Sequence, residues 1–249
     1  MNAPASPRRR LAASPKRCLR EAGLVWRGGW SRLRSRLWLI LLASGLGVAL
    51  VWYGDGTDQF LLDQARMDAN TTTTHAAKFI SDYSDLALCV PLSLALWVGG
   101  VVRRRARWRR LGLACLMATL MAGWIVTVFK HLVGRPRPDA AAAFPQLLYG
   151  PESRAKLNSF PSGHTATSTA TGVSLIAASP VVAIPAAIYA TAVGWSRMQL
   201  RKHYPLDVAT AAIIGVVCGA CFASTVPGSV IRLSRRKRHP PKKPDPHAL

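Results

Sequence analysis

The chain is poor in acid. Of its 249 residues only 11 are Asp or Glu against 33 Lys or Arg, a formal net charge of +22. No cluster of carboxylates of the kind that holds magnesium stands near the motifs described below. Cysteine is also scarce. Cys89, Cys115, Cys218 and Cys221 fall inside apolar segments, and Cys18 lies in the basic N-terminal stretch. The Cys218/Cys221 spacing is C-x-x-C, but it has no second pair and no neighbouring histidine. That excludes a zinc or disulfide framework and leaves small buried residues at helix contacts as the expectation. What the chain has instead is apolar length, with half of its residues hydrophobic. The basic residues come in runs that alternate with long apolar stretches, as in a multi-spanning membrane protein. This distribution argues against a soluble nucleic-acid-binding domain, which the net charge alone would allow.

Six apolar stretches are candidate spans: 37–53, 86–102, 111–129, 165–179, 181–195 and 208–226. A span needs about 20 mostly apolar residues. The fourth and fifth are short, the fourth is rich in Thr and Ser, and they part near Ser179-Pro180, as in one hairpin. If helical, their polar groups must face protein, because lipid satisfies none of them. With a cytoplasmic N-terminus, the inner segments 1–36, 103–110 and 227–249 hold 23 of the 33 basic residues, and the outer segments hold ten. This positive-inside bias supports six spans with both ends cytoplasmic. The expected organisation is therefore a basic tail over 1–36, a membrane domain over 37–226 and a second basic tail over 227–249. An uncleaved first span is expected, because its charged leader is too long for a signal peptide. The stretch 17–36 is partly amphipathic. It either lies on an anionic leaflet or simply fixes topology.

Three polar clusters fall on one outer face of that topology. Lys130 is followed after six residues by Arg137-Pro138. Pro161-Ser162-Gly163-His164 precedes the fourth span. Ser196-Arg197 is followed by His203 and then Asp207. With a helix starting near Pro205, His203 and Asp207 stand four apart, so a carboxylate can orient an imidazole and leave its other nitrogen free as a nucleophile. A Ser-Gly turn ahead of a helix exposes backbone N–H groups to an anion. His164 there is placed to protonate a leaving oxygen and then to activate water. Lys130, Arg137 and Arg197 supply charge and forked donors suited to phosphate. Each cluster alone has an ordinary structural reading: a helix anchor, an N-cap, or snorkelling cations.

Together, K-x6-R-P, P-S-G-H and S-R-x5-H-x3-D in this order resemble the signature of the type 2 phosphatidic acid phosphatase superfamily. The motifs cover 130–207, and the span pattern extends the likeness to 37–226. The resemblance implies an all-α, six-span bundle with its active site at the outer membrane–water interface. It implies His203 as the nucleophile, Asp207 as its orienting partner and His164 as acid and base. Lys130, Arg137, Ser162, Gly163 and Arg197 would form the phosphate cradle, with no metal and no other cofactor. The soluble vanadium-dependent haloperoxidases share the signature, but the apolar spans here speak against that class.

The expected activity is a lipid-phosphate phosphatase in a bacterial-type inner membrane, with a phosphorylated lipid as substrate and no nucleic-acid partner. Polyprenyl pyrophosphate, phosphatidylglycerophosphate, phosphatidic acid and lipid A are the candidate substrates. A lipid phosphotransferase using the same residues is the alternative, and a non-enzymatic membrane protein is a more distant one. Other expectations concern the outer segments. Arg135 reads either as a second phosphate contact or as a surface arginine without a role. The loop 139–160 either covers the site or packs on span ends. Thr71–Thr74 suggests a polar turn or strand.

Overall fold

Helices account for the whole of the regular structure in the computed structural model, which describes residues 14–54, 56–67 and 70–233. Parts of both expected tails, 1–13 and 234–249, lie outside the described residues. Among the described residues there are nine α-helices and no strand. They are α1 (Pro15–Arg34), α2 (Leu37–Tyr53), α3 (Thr57–Ala65), α4 (Thr71–Asp82), α5 (Leu86–Val102), α6 (Ala106–Val133), α7 (Gly163–Ile176), α8 (Ala183–Gln199) and α9 (Pro205–Ala223).

The interior helix is α7. Its neighbours are α5, α6, α8 and α9, and its face from Thr165 to Gly172 is buried. Most of its hydroxyls donate along the helix: Thr167 to Gly163 O at 3.1 Å, Ser168 to His164 O at 2.7 Å and Ser174 to Ala170 O at 2.8 Å. Thr171 also meets Thr119 of α6 at 2.6 Å. The Thr-rich composition is thereby kept away from lipid. Close approach to α9 needs glycine. A Cβ at Gly215 would come 2.7 Å from Ala166 O, and one at Gly219 would come 2.8 Å from Ala170 O. This is the small-residue packing that membrane helices use in place of a hydrophobic driving force.

Among the described residues three helical segments are long and apolar enough to cross a membrane: Ala106–Val133, Pro180–Gln199 and Pro205–Ala223. The count reaches five if two bent pairs, α1 with α2 at 52° and α4 with α5 at 48°, each act as one span. The expected fourth span does not meet this test. Helix α7 has 14 residues, a rise of about 21 Å, against a hydrocarbon core of about 30 Å. The expected break after it is present, with a turn through Pro180–Val182 leading into α8.

The basic amphipathic stretch forms α1, which docks on α9 and α6 through Val25, Gly28, Gly29 and Leu33. Its buried Glu21 accepts from Arg109 of α6 at both carboxylate oxygens, each at 2.8 Å. Removing one partner of such a pair leaves a buried charge unmatched, at a cost of about 3 kcal/mol. Glu21→Ala is therefore expected to lower the thermal midpoint in detergent by several degrees. An unchanged midpoint would show that the pair does not hold α1.

The segment 70–82 departs from expectation. Thr71–Thr74 opens helix α4, because the Asn70 side chain accepts from Thr73 N at 2.8 Å and caps the first turn. The segment is pinned to α8 by Gln199, whose amide accepts from Met67 N and donates to Met67 O, both at 2.9 Å.

Candidate active site

Local chemistry sets each motif. Helix α6 ends because Gly134 takes the left-handed conformation (φ +61°) and its N–H bonds back to Lys130 O at 3.2 Å. Lys130 thus sits in the last turn, and the chain turns sharply into Arg135–Pro138. The stretch 131–137 is held by the returning loop. Tyr149 N donates to Gly134 O, Arg137 N to Lys156 O and Ser159 N to Arg135 O, at 2.9 to 3.1 Å. At α9, Pro205 occupies the first turn and the Asp207 carboxylate accepts from Tyr204 N at 2.9 Å, capping the helix. Ser162 N donates to Asp207 O at 3.1 Å and ties the start of α7 to α9.

These turns bring the three motifs together. Lys130, Arg137, Gly163, His164, Arg197 and His203 line one cavity of about 360 Å³. Part of its lining is apolar, formed by Leu86, Leu120 and Trp124, with Trp124 63 % exposed. Among the described residues none of the three cations makes an ion pair, whereas Arg109, Arg135, Arg154 and Lys202 all do. The Nε atoms of Arg137 and Arg197 are buried without a hydrogen-bond partner. Arg197 is steadied from the other side, where its guanidinium donates to Ser81 of α4. Concentrated, unneutralised charge of this kind is suited to an anion with several oxygens.

Two of the sequence-derived residues lie outside the lining. Ser162 is fully buried at the N-cap of α7, where its hydroxyl accepts from Thr165 Oγ1 at 3.0 Å. Asp207 lies behind His203, with its Oδ2 3.7 Å from Nδ1. The hydrogen bond on that nitrogen goes elsewhere, to the carbonyl of Ser159 at 2.7 Å. A carbonyl only accepts, so Nδ1 carries the proton and Nε2 keeps its lone pair. Asp207 acts on the ring through charge, and Ser159 sets the tautomer.

Burial lowers the His203 pKa to about 3; the charges of Lys130 and Arg197 act in the same direction and Asp207 opposes them. The ring is therefore neutral at pH 7. Because the folded-state value lies below the usual 6.5, the unfolded chain binds the extra proton first. Stability is then lost as pH falls below about 6.5, at up to about 1.4 kcal/mol per pH unit. Thermal midpoints are expected to drop between pH 7 and pH 5, and His203→Asn should flatten that slope. Equal slopes in both proteins would place the acid sensitivity elsewhere.

Sequence reasoning missed three residues and misplaced a fourth, Arg135. Asp85 lines the cavity, 3.7 Å from His164 Nδ1, and accepts from Thr167 at 3.2 Å. Ser81 holds Arg197. Ser159 bonds His203 and also donates to Asp207 Oδ2 at 2.5 Å. Arg135 is neither a surface residue nor part of this cavity. It is 5 % exposed and pairs with Asp207 at 2.5 Å and with Asp58 of α3 at 2.8 Å. The doubled Arg-Pro was the one signal that pointed to it. The loop 139–160 does not cover the cavity. Its Phe144 and Leu147 line a separate pocket of about 140 Å³ against α2 and α3.

The family model for the PAP2 superfamily matches residues 111–230. The chain is 31% identical over 156 residues to decaprenylphosphoryl-5-phosphoribose phosphatase of Mycobacterium tuberculosis, covering 60% of this chain and 78% of that protein. It is 27% identical over 144 residues to undecaprenyl-diphosphatase BcrC of Bacillus subtilis, covering 58% and 70%. The crystal structure of a transmembrane PAP2-type phosphatidylglycerolphosphate phosphatase from Bacillus subtilis superposes with a TM-score of 0.59 at 23% identity, over 77% of this chain and 94% of that one. That last likeness concerns the fold, and the sequence relatives carry the kinship: this chain belongs to the PAP2 superfamily.

Proposed function

We propose that the chain is an integral membrane phosphatase that removes a phosphoryl group from a lipid through a phosphohistidine on His203. The supporting observation is one cavity lined by three cations without carboxylate partners, by a neutral histidine whose Nε2 is free of protein partners, and by apolar side chains. Lys130, Arg137, Arg197 and the α7 N-terminus around Gly163 hold the phosphate oxygens, and Ser162 shapes that terminus from beneath. His203 Nε2 attacks phosphorus, the bond from phosphorus to the lipid oxygen breaks, and His164, which takes up a proton as the phosphate dianion offsets the neighbouring cations, gives that oxygen a proton. Water then attacks phosphorus with His164 taking its proton, the phosphorus–nitrogen bond breaks, and phosphate and free imidazole result. The charge of Asp207 stabilises the ring while it carries the phosphoryl group. No step in this scheme calls on a metal ion.

In this reading residues 37–226 form the membrane domain between basic cytoplasmic ends 1–36 and 227–249. Six spans, with α7 enclosed as the fourth, place the cavity at the outer face of a bacterial inner membrane. The Leu86, Leu120 and Trp124 wall then meets the lipid chain. Prenyl phosphates and diphosphates are the first substrates to test, because two relatives are named for polyprenyl substrates. The experiment is phosphate release by detergent-purified protein from a panel of lipid phosphates and pyrophosphates, with and without EDTA. EDTA-resistant release is expected. Release that needs added metal would overturn the mechanism. Transfer to an added lipid acceptor, without free phosphate, would make the chain a phosphotransferase. A cysteine placed in the loop 139–160 is expected to react with an impermeant thiol reagent in intact cells, and labelling only after lysis would invert the topology.

A further inference from the structure

Asp207 is not alone behind His203. Its Oδ1 is held by Arg135 Nη1 at 2.5 Å, and the other arm of the same guanidinium pairs with Asp58 Oδ2 at 2.8 Å. All three side chains are buried, and Arg135 also lies over the Tyr204 ring with 3.9 Å between its central carbon and the ring centroid. Asp58 is fixed from the other side, where its Oδ1 accepts from Leu206 N at 3.0 Å in the first turn of α9. Arg135 and Asp58 face away from the phosphate cavity and line the smaller pocket beside α2 and α3.

Arg135 by itself would neutralise Asp207 and leave little negative charge for His203 to feel. With Asp58 added, two carboxylates share one guanidinium and the group carries a net charge of minus one. We propose that Asp58 and Arg135 are positioning residues that set the charge Asp207 presents to His203, with Asp58 restoring what Arg135 alone would cancel. This rests on the proposed role of His203 as nucleophile. The phosphorylated ring keeps its Nδ1 proton and becomes cationic, so it draws on that net negative charge, whereas the resting neutral ring does not. Buried charges at these separations act through little water, so one charge more or less is felt strongly. The other charged or titratable groups around the pair are Lys130, Arg137, Arg197, His164 and Asp85, which share the cavity with His203, and Tyr204 beside Arg135. They are untouched by the substitutions below.

The test is the titration of His203, followed by NMR of protein with 15N-labelled histidine in detergent micelles, a reading that needs no turnover. Arg135→Gln is expected to raise the titration by at least about one pH unit, since both carboxylates then act unopposed. Adding Asp58→Asn to that variant is expected to lower it again, and Arg135→Lys is expected to leave it near the wild-type position. Opposite shifts from neighbouring substitutions, with rescue by lysine, are not produced by a purely structural pair. In kinetics, Asp58→Asn alone is expected to reduce kcat about tenfold with KM within about twofold. A folded Arg135→Gln protein with an unshifted His203 would overturn the inference. So would an Asp58→Asn protein with wild-type kcat. If Arg135→Gln does not fold, the Arg135→Lys and Asp58→Asn proteins decide. Wild-type protein that hydrolyses no lipid phosphate would overturn the proposed activity instead, and the titrations would still decide the charge relation.

Discussion

His203→Ala protein is expected to release no measurable phosphate from any lipid substrate, a fall of at least about 10⁴-fold. The expectation follows from where the ring sits. His203 is buried, lines the cavity with the three unpaired cations, and has its Nδ1 proton committed to the Ser159 carbonyl. Among the described residues only one other histidine, His164, lines that cavity. It stands at the start of α7 with Asp85 at 3.7 Å, an arrangement suited to moving protons. A rapid acid-free quench of wild-type protein with 32P-labelled substrate should trap a phosphoenzyme that is acid-labile and base-stable, as phosphohistidine is. The His203→Ala protein should show none. Turnover near the wild-type rate in folded His203→Ala protein would overturn the assignment, and a trapped label stable to acid would move it to another nucleophile.

The second large effect is expected at His164. A lipid alkoxide is a poor leaving group and needs its proton, so His164→Asn should slow turnover of a lipid monophosphate by about 10²- to 10⁴-fold. A para-nitrophenyl phosphate leaving group departs without a proton. With that substrate the first step should survive, while hydrolysis of the phosphoenzyme, which needs a base, should not. The measurement is a pre-steady-state burst of nitrophenol, close to one per protein, followed by slow turnover. Equal losses with both substrates and no burst would mean that His164 serves the site as a phosphate contact and not as a proton carrier.

Much of the site was legible in the sequence because its chemistry is written in short spacings. Lys130 with Arg137, Gly163 with His164, and Arg197 with His203 each need only a few residues of chain to be set, through the Gly134 turn, the α7 start and the α8–α9 connection. Residues that act through long-range contacts left no such trace. Ser159 meets His203 across 44 positions, Ser81 meets Arg197 across 116 and Asp58 meets Leu206 across 148. Nothing local distinguishes Asp58 from the other aspartates of the outer segment. Arg135 drew notice through its doubled Arg-Pro, but its direction depends on two carboxylates far away in sequence. The Thr71–Thr74 run was misread for a related reason. Threonine has little helix preference of its own, and the Asn70 cap together with docking on α8 decides the outcome.

The sequence by itself determined the class of molecule: helical, rich in base, with apolar segments of membrane-spanning type and the three short polar motifs of the PAP2 superfamily. Those properties reside in composition and spacing, which survive in any conformation. Only the tertiary structure decided which group orients His203, which arginine faces the cavity and which turns to Asp207, and that α7 is enclosed by other helices. These depend on where a guanidinium or a carbonyl lies to within about half an ångström. Such positions are set by helix packing around Gly215 and Gly219 and by the folded-back loop 139–160, and not by the residues next in line.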